Sequence, residues 1–282
     1  MARLAVVGYA SIDTIVVEGK PHRTIGGGAV YAALSAARYG SEVSLHVAVG
    51  EDFPTHWLRQ LEALNIDTSS VERRSGGTRR ALLHYGGREE RIASTERDAA
   101  WWDRTRSLTP PLPRKGFDGY LLCPMPPETL AECLSRASGG LSVADTSEVF
   151  ALDGASLKKA LGRLDVFAPS LEEIRLLTGR HDDEEALQTL SHLVPILVAK
   201  RGRAGLTRFA KGERLDHTIT PRTAIDPTGA GDATVGALTT ALLADLSPGQ
   251  QLRTAAQAGA EAVGAIGPGA FGWQIRQNSK EL

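Results

Sequence analysis

Long apolar runs are missing from this 282-residue chain. Nothing in it approaches the ~20 consecutive apolar residues that a membrane span requires, so no membrane partner is expected. An excess of either charge is missing too: 32 lysines and arginines stand against 33 aspartates and glutamates, a net charge of −1, which gives no global attraction to nucleic acid or to an anionic bilayer. Small neutral or anionic ligands stay open. Cysteine is scarce. Cys123 and Cys133 lack CxxC spacing, which leaves neither a disulfide framework nor a zinc site, and both read as buried thiols of a reducing compartment. The seven histidines show no ligand spacing such as H-x-x-x-H. No Gly-Lys-Ser or Gly-Lys-Thr string occurs, which argues against a P-loop enzyme. Gly267 to Gly272 spells G-x-G-x-x-G, but it follows a helical stretch and leaves only ten residues for a βαβ unit, so a NAD-dependent dehydrogenase has no properly placed fingerprint. The chain begins Met-Ala-Arg and enters a short apolar run that Gly8 ends. That run is too short and wrongly flanked for a signal peptide, and a cytoplasmic location is expected.

What is present is an alternation. The length suits one large α/β domain or two smaller ones. Leu4 to Val7 and Thr14 to Val17 are β-rich runs around a bend near Ser11, and Ala29 to Arg38 has helical spacing. A strand over Glu42 to Val49, a helix near Thr55 to Leu64, and strands at Tyr120 to Cys123, Leu141 to Ala144, Val166 to Ala168 and Ile196 to Ala199 follow, separated by helix-like segments. Such a pattern predicts a mainly parallel sheet covered by helices on both faces. Two stretches break the rhythm, Glu18 to Thr24 and Thr78 to Ser94. In the second, Ala81 to Tyr85 meets Gly86-Gly87 and then Glu90 to Ile92, which reads as a β-hairpin. It joins nothing in the parallel alternation, so a small β-lid from about residues 14–24 and 78–94 is expected, with an ordinary edge hairpin as the alternative. Trp101 and Trp102 suit either a lid patch or partial burial in the core. No linker or repeat divides residues 1–282, which favours a single domain.

The stretch Asp226-Pro227-Thr228-Gly229-Ala230-Gly231-Asp232 runs into an apolar helix. A glycine-rich turn that opens a helix exposes backbone N–H groups without intrahelical partners, along a dipole that favours anions. Asp232 falls in the first turn, where it either caps the helix or takes a proton beside a bound phosphate.

This run resembles the C-terminal signature of the ribokinase-like (PfkB) carbohydrate kinases, and four further places extend the resemblance over nearly the whole chain. It implies an ATP-dependent kinase acting on a hydroxyl of a small sugar, cyclitol or nucleoside, with Asp232 as base and Gly229, Ala230 and Gly231 as the anion hole. Gly8 to Asp13 resembles the N-terminal strand and turn, with Asp13 and Ser11 at the acceptor. Gly26-Gly27-Gly28 resembles the double-glycine motif, with Gly27, Gly28 and Tyr31 at the acceptor; Tyr31 stands where sugar-specific members carry asparagine, which tilts the acceptor away from simple ribose. Pro169 to Glu173 resembles Asn-x-x-Glu with Ser170 in place of the asparagine, so Glu173 is implied to act on Mg²⁺ through water. Val198 to Gly205 resembles the nucleotide strand and turn, with Lys200, Gly202 and Gly205. Thr228, Ala258 and Gly269 are implied at the nucleotide, and Asp226 at a potassium ion. The same resemblance leaves dimerisation through the lid and a catalytically silent ligand-binding protein as open expectations.

Overall fold

The computed structural model describes residues 1–85, 97–219 and 223–275 in full and residues 91–94 as backbone. The main sheet has nine strands, in the order Glu213–His217, Leu206–Ala210, Ile196–Lys200, Val166–Phe167, Leu141–Ala144, Gly119–Leu122, Arg3–Val7, Glu42–His46 and Ile66–Asp67. From Ile196–Lys200 onward every neighbouring pair is parallel; the first two strands are added antiparallel. Side chains of a strand alternate between faces, and both faces are apolar here. Leu4, Val6, Val43, Leu45, Leu121 and Val143 pack towards the helices Gly28–Arg38, Ala230–Leu243 and Pro248–Ala262. Ala5, Val7, Tyr120, Leu122, Ala144 and Phe167 pack towards Pro127–Arg136, Gly154–Leu161, Leu171–Thr178 and Asp183–Ser191. Burial on both sides is what a parallel sheet needs. Both cysteines are free and buried in these cores.

A second sheet of four strands stands apart, in the order Lys20–Gly26, Ser11–Val17, Arg80–Tyr85 and Arg91–Ser94. Its hairpin turns at Glu18-Gly19, both with positive φ (50° and 74°), the geometry a two-residue turn of type I′ requires. The segment Glu18 to Thr24 is therefore a turn and a returning strand. The antiparallel pair Arg80–Tyr85 and Arg91–Ser94 agrees with the expected hairpin, whose Gly86-Gly87 turn and Glu90 lie outside the described residues.

Three expectations change. The bend placed near Ser11 lies at Gly8 to Ala10, and Ser11 already starts its strand. The run Glu42 to Val49 is two strands: Val47 leaves the main sheet and its carbonyl accepts the Glu72 amide (3.0 Å), so Ala48–Gly50 pairs with Glu72–Arg74 in a separate two-stranded sheet. The antiparallel pair Leu206–Ala210 and Glu213–His217 was not foreseen. It turns at Lys211-Gly212, again with positive φ at both residues (53° and 79°).

Gly236 shows how closely the helices meet. A Cβ there would overlap the carbonyl oxygen of Ala32 in the neighbouring helix. Alanine normally favours a helix over glycine by up to ~1 kcal/mol. At Gly236 the backbone clash should win, and Gly236→Ala is expected to destabilise by about 2 kcal/mol or more, whereas Gly249→Ala, in open space, should be neutral or stabilising; thermal unfolding of both variants checks the contrast.

Candidate active site

The chemistry-bearing residues gather at the carboxyl ends of the parallel strands, beside the point where the chain order reverses between Arg3–Val7 and Gly119–Leu122. In open α/β sheets this is where a crevice forms. Gly8 follows the first strand, and a Cβ on it would press on Cys123 at 2.8 Å. Asp145 follows Leu141–Ala144, and Lys200 ends its own strand.

Two distant parts of the chain meet at three glycines. A Cβ on Gly26 would overlap Asp13 Oδ2, and one on Gly28 would overlap Asp232 Oδ1. The missing side chains let both carboxylates lie against the same backbone, although they come from strand Ser11–Val17 and helix Ala230–Leu243. Gly27, at φ 95°, lies against the carbonyl of Tyr9 in a conformation that side chains rarely adopt. Gly27 also precedes the helix Gly28–Arg38 and accepts the Val30 amide (3.0 Å).

Burial pushes Asp13 up to about 6, opposed by the Ser11 hydrogen bond and the charge of Arg79 and assisted by Asp226. Burial also pushes Asp232 up to about 6; Lys200 pulls it down and Glu173 pushes it up. Asp13 Oδ1 is buried with no hydrogen-bond partner among the described residues, and so are the Tyr31 hydroxyl and Thr24 Oγ1. Tyr31 lays its ring where a Cβ on Gly229 would fall. Burial, with Asp13, Asp226 and Asp232 adding to it, holds its hydroxyl well above the ordinary tyrosine range. Unmatched buried polar atoms are costly, and Thr24 is the ladder partner of Asp13.

The helix Ala230–Leu243 opens from Gly229 in the left-handed region (φ 74°), and its first intrahelical bond runs from Ala233 N to Gly229 O (2.8 Å). Ala230 N reaches Pro227 O only at 3.3 Å, and the first-turn amides point out of the helix. Lys200 supplies a cation there, with Nζ 3.6 Å from the place a Gly231 Cβ would occupy. Its partner is Asp145, 2.5 Å away. Burial alone would lower the lysine, but Asp145 and Glu173 outweigh it and keep Lys200 charged; burial raises Asp145 against the pull of Lys200. Glu173 accepts the Ser170 amide (2.7 Å) while Ser170 Oγ accepts the Glu173 amide (3.2 Å), so Ser170 keeps a capping role.

Beside the helix start lies a cavity of about 250 Å³ lined by Lys200, Gly202, Gly205, Ala230, Gly231 and a stripe of helix Pro248–Ala262 running on to Val263. That stripe is Ala256, Gly259, Ala260 and Val263. Ala258, expected there, is fully buried on another face of the helix, because residues two apart on a helix do not share a face. Gly269 sits in the short turn Gly267–Phe271 and Thr228 in the loop before the helix, and neither lines the cavity. Thr228 instead bonds to Tyr85 of the second sheet, hydroxyl to hydroxyl, at 2.8 Å. Asp226 is fully buried and ties two loops together, accepting the amides of Thr228 (2.9 Å) and Gly267 (2.7 Å).

The pfkB family carbohydrate kinase model matches residues 1–275. The chain belongs to this family. A cytidine kinase of Thermococcus kodakarensis is 28% identical over 271 residues, which cover 93% of this chain and 94% of that protein. The nucleoside kinase of Methanocaldococcus jannaschii superposes with a TM-score of 0.79 at 21% identity, covering 95% and 93% of the two chains. Fructokinase of Vibrio cholerae, solved with fructose, ADP and calcium, gives 0.74 at 21% identity over 95% and 94%. The protein is thus a phosphotransferase with an alcohol group as acceptor, on the ribokinase-like fold. Among the described residues no helix is long and apolar enough to cross a membrane.

Asp145, Arg79 and Tyr85 escaped the sequence reading. Asp145 carried a usable signal: a carboxylate directly after a buried parallel strand sits at the ligand edge of such a sheet.

The raised acids predict a pH-dependent stability difference. A carboxyl raised in the folded state contributes stability that is full below its unfolded value near 4 and is lost as pH rises through about 6. Asp232→Asn should therefore melt higher than the native chain at pH 7.5 and show little gain at pH 4. A variant that melts lower at pH 7.5 would contradict the assigned burial cost.

Proposed function

We propose that the chain transfers the terminal phosphoryl group of ATP to a hydroxyl of a small sugar-like or nucleoside acceptor held between Asp13 and Asp232. The observation that carries this reading is the contact of the Asp232 carboxylate with Gly28, which sets a half-buried base against the glycine loop that faces Asp13. In this reading Asp232 takes the proton of the attacking hydroxyl; a base near 6 is ionised at neutral pH yet close enough to it to accept a proton. Asp13 has a free lone-pair side for neighbouring hydroxyls. The Gly229, Ala230 and Gly231 backbone and the Lys200 ammonium face the transferring group, so the protein's work is positioning and charge stabilisation. The nucleotide lies along Gly202, Gly205 and the Ala256–Gly259–Ala260 stripe, whose small side chains leave room for a flat base.

The donor set suits the ions expected of the family. Among the described residues no three acids or imidazoles form a metal cage, which fits Mg²⁺ carried mainly by nucleotide phosphates and waters. Glu173 and Asp145 would support it, and bound there it neutralises phosphate charge. Asp226, buried and met by neutral amides, suits a monovalent cation. Tyr85 from the second sheet reaches the Thr228 loop, which supports a lid role for that sheet.

ATP consumption and transfer across a panel of sugars, cyclitols and nucleosides tests the reading. Asp232→Asn should lower kcat by about 10²- to 10⁴-fold while an ATP analogue still raises Tm as in the native chain. The kcat/KM profile should fall below about pH 6 on its acid side, because protonated Asp232 cannot accept a proton. Near-normal turnover by Asp232→Asn would remove the base from the scheme.

A further inference from the structure

Beside Asp13 on the second sheet stands a basic, aromatic group of side chains. The ladder pairs Ile12 with Arg80 and Asp13 with Ala81, and the Ile12 amide donates to the Arg79 carbonyl at 2.9 Å. Arg79 is thereby set opposite Ser11, on the face that Ser11 and Asp13 share. Its guanidinium lies over two rings, 4.3 Å from the centroid of Tyr9 and 4.8 Å from that of Trp101. Ring contacts of this kind use the face of the guanidinium, while its N–H groups bond in the plane.

Arg79 Nε is buried and has no hydrogen-bond partner among the described residues. Burial lowers the group to about 10, with Tyr9 and Asp13 opposing, so it stays charged at neutral pH. Asp13, the acid it faces, also keeps Oδ1 unpaired. The two opposite charges sense each other with no hydrogen bond between them.

A cavity of about 340 Å³ opens at Arg79, lined also by Gly77, Thr78, Arg80, Asp98, Trp101 and Arg104. Among the described residues, the acids at the cavity are already engaged. Asp98 accepts the Trp101 amide (2.8 Å), and Asp52 takes Thr78 (2.6 Å) and Arg80 (2.6 Å). Arg104 is turned to the Gly77 carbonyl (2.5 Å). Among the described residues, a buried arginine whose Nε has no partner, at a mostly basic cavity, lacks an oxyanion to bind.

We infer that the acceptor carries an oxyanion, a carboxylate or a phosphate, which Arg79 binds on the far side of the molecule from the hydroxyl that is phosphorylated. The inference rests on the acceptor lying at Asp13. Arg79 then selects between acceptors by charge, while Asp13 reads their hydroxyls.

The test compares matched pairs with ATP and Mg²⁺: D-glucose with D-gluconate, D-ribose with D-ribose 5-phosphate, and cytidine with cytidine 5′-monophosphate. In at least one pair the anionic member should have a kcat/KM about tenfold or more above the neutral one, the size of one charge-assisted hydrogen bond. The gluconate and phosphate arms separate the two sources of charge. Arg79→Gln should erase that preference through KM for the acceptor and leave KM for ATP unchanged, and Arg79→Lys should keep part of it. Each variant's Tm reports whether it folds, and acceptor-induced shifts in Tm with an ATP analogue give the same comparison without turnover. Equal or better use of the neutral member in every pair, or a preference that survives Arg79→Gln, would overturn the inference. Loss of the kinase reading itself would show differently, as no transfer to any acceptor and no stabilisation by the ATP analogue.

Discussion

The arrangement depends on the absence of side chains at Gly26 and Gly28. Only there can two carboxylates, carried by elements more than 200 residues apart in the chain, lie against one stretch of backbone. Any Cβ would push Asp13 or Asp232 away and end their shared contact with this backbone. The same economy of volume recurs at Gly229, whose missing side chain seats the Tyr31 ring, and at Gly236, which lets the helix that carries Asp232 press on the helix that begins at Gly28. Close approach is thus built into the packing of the helices as well as into the loop.

Bringing these groups together has an electrostatic cost. Asp13, Asp145 and Asp226 are buried and Asp232 half-buried around one crevice, and burial raises Asp13, Asp145 and Asp232. Lys200 answers Asp145, backbone amides answer Asp226, and Arg79 faces Asp13 without bonding to it. Asp13 Oδ1, the Tyr31 hydroxyl, Thr24 Oγ1 and Arg79 Nε are among the buried polar atoms left without a hydrogen-bond partner in the described residues. Such incomplete pairing weakens a fold when the site is empty and strengthens binding when it is filled.

Much of the fold was legible because parallel strands buried on both faces read as short apolar runs between helices, and because glycine and aspartate clusters mark backbone approach and anion sites. Asp232 and its glycines could be read as an anion-binding helix start for that reason, whereas Asp13 and Gly26 to Gly28 were named through the family resemblance. The antiparallel edge Leu206–Ala210 and Glu213–His217 was missed although Lys211-Gly212 marks its turn, since the exposed, charged strand Glu213–His217 has no apolar alternation. Ala258 was misplaced because composition alone does not fix which face of an alanine-rich helix looks into a cavity. Arg79 could not be found from sequence at all: its neighbours Tyr9 and Trp101 are brought to it only by tertiary packing.

The most direct test is a crystal structure with a non-hydrolysable ATP analogue and a bound acceptor. The account predicts the last phosphate at the start of helix Ala230–Leu243, and an acceptor hydroxyl about 2.6–3.2 Å from the Asp232 carboxylate. A triphosphate bound elsewhere, or an acceptor hydroxyl out of reach of Asp232, would contradict it.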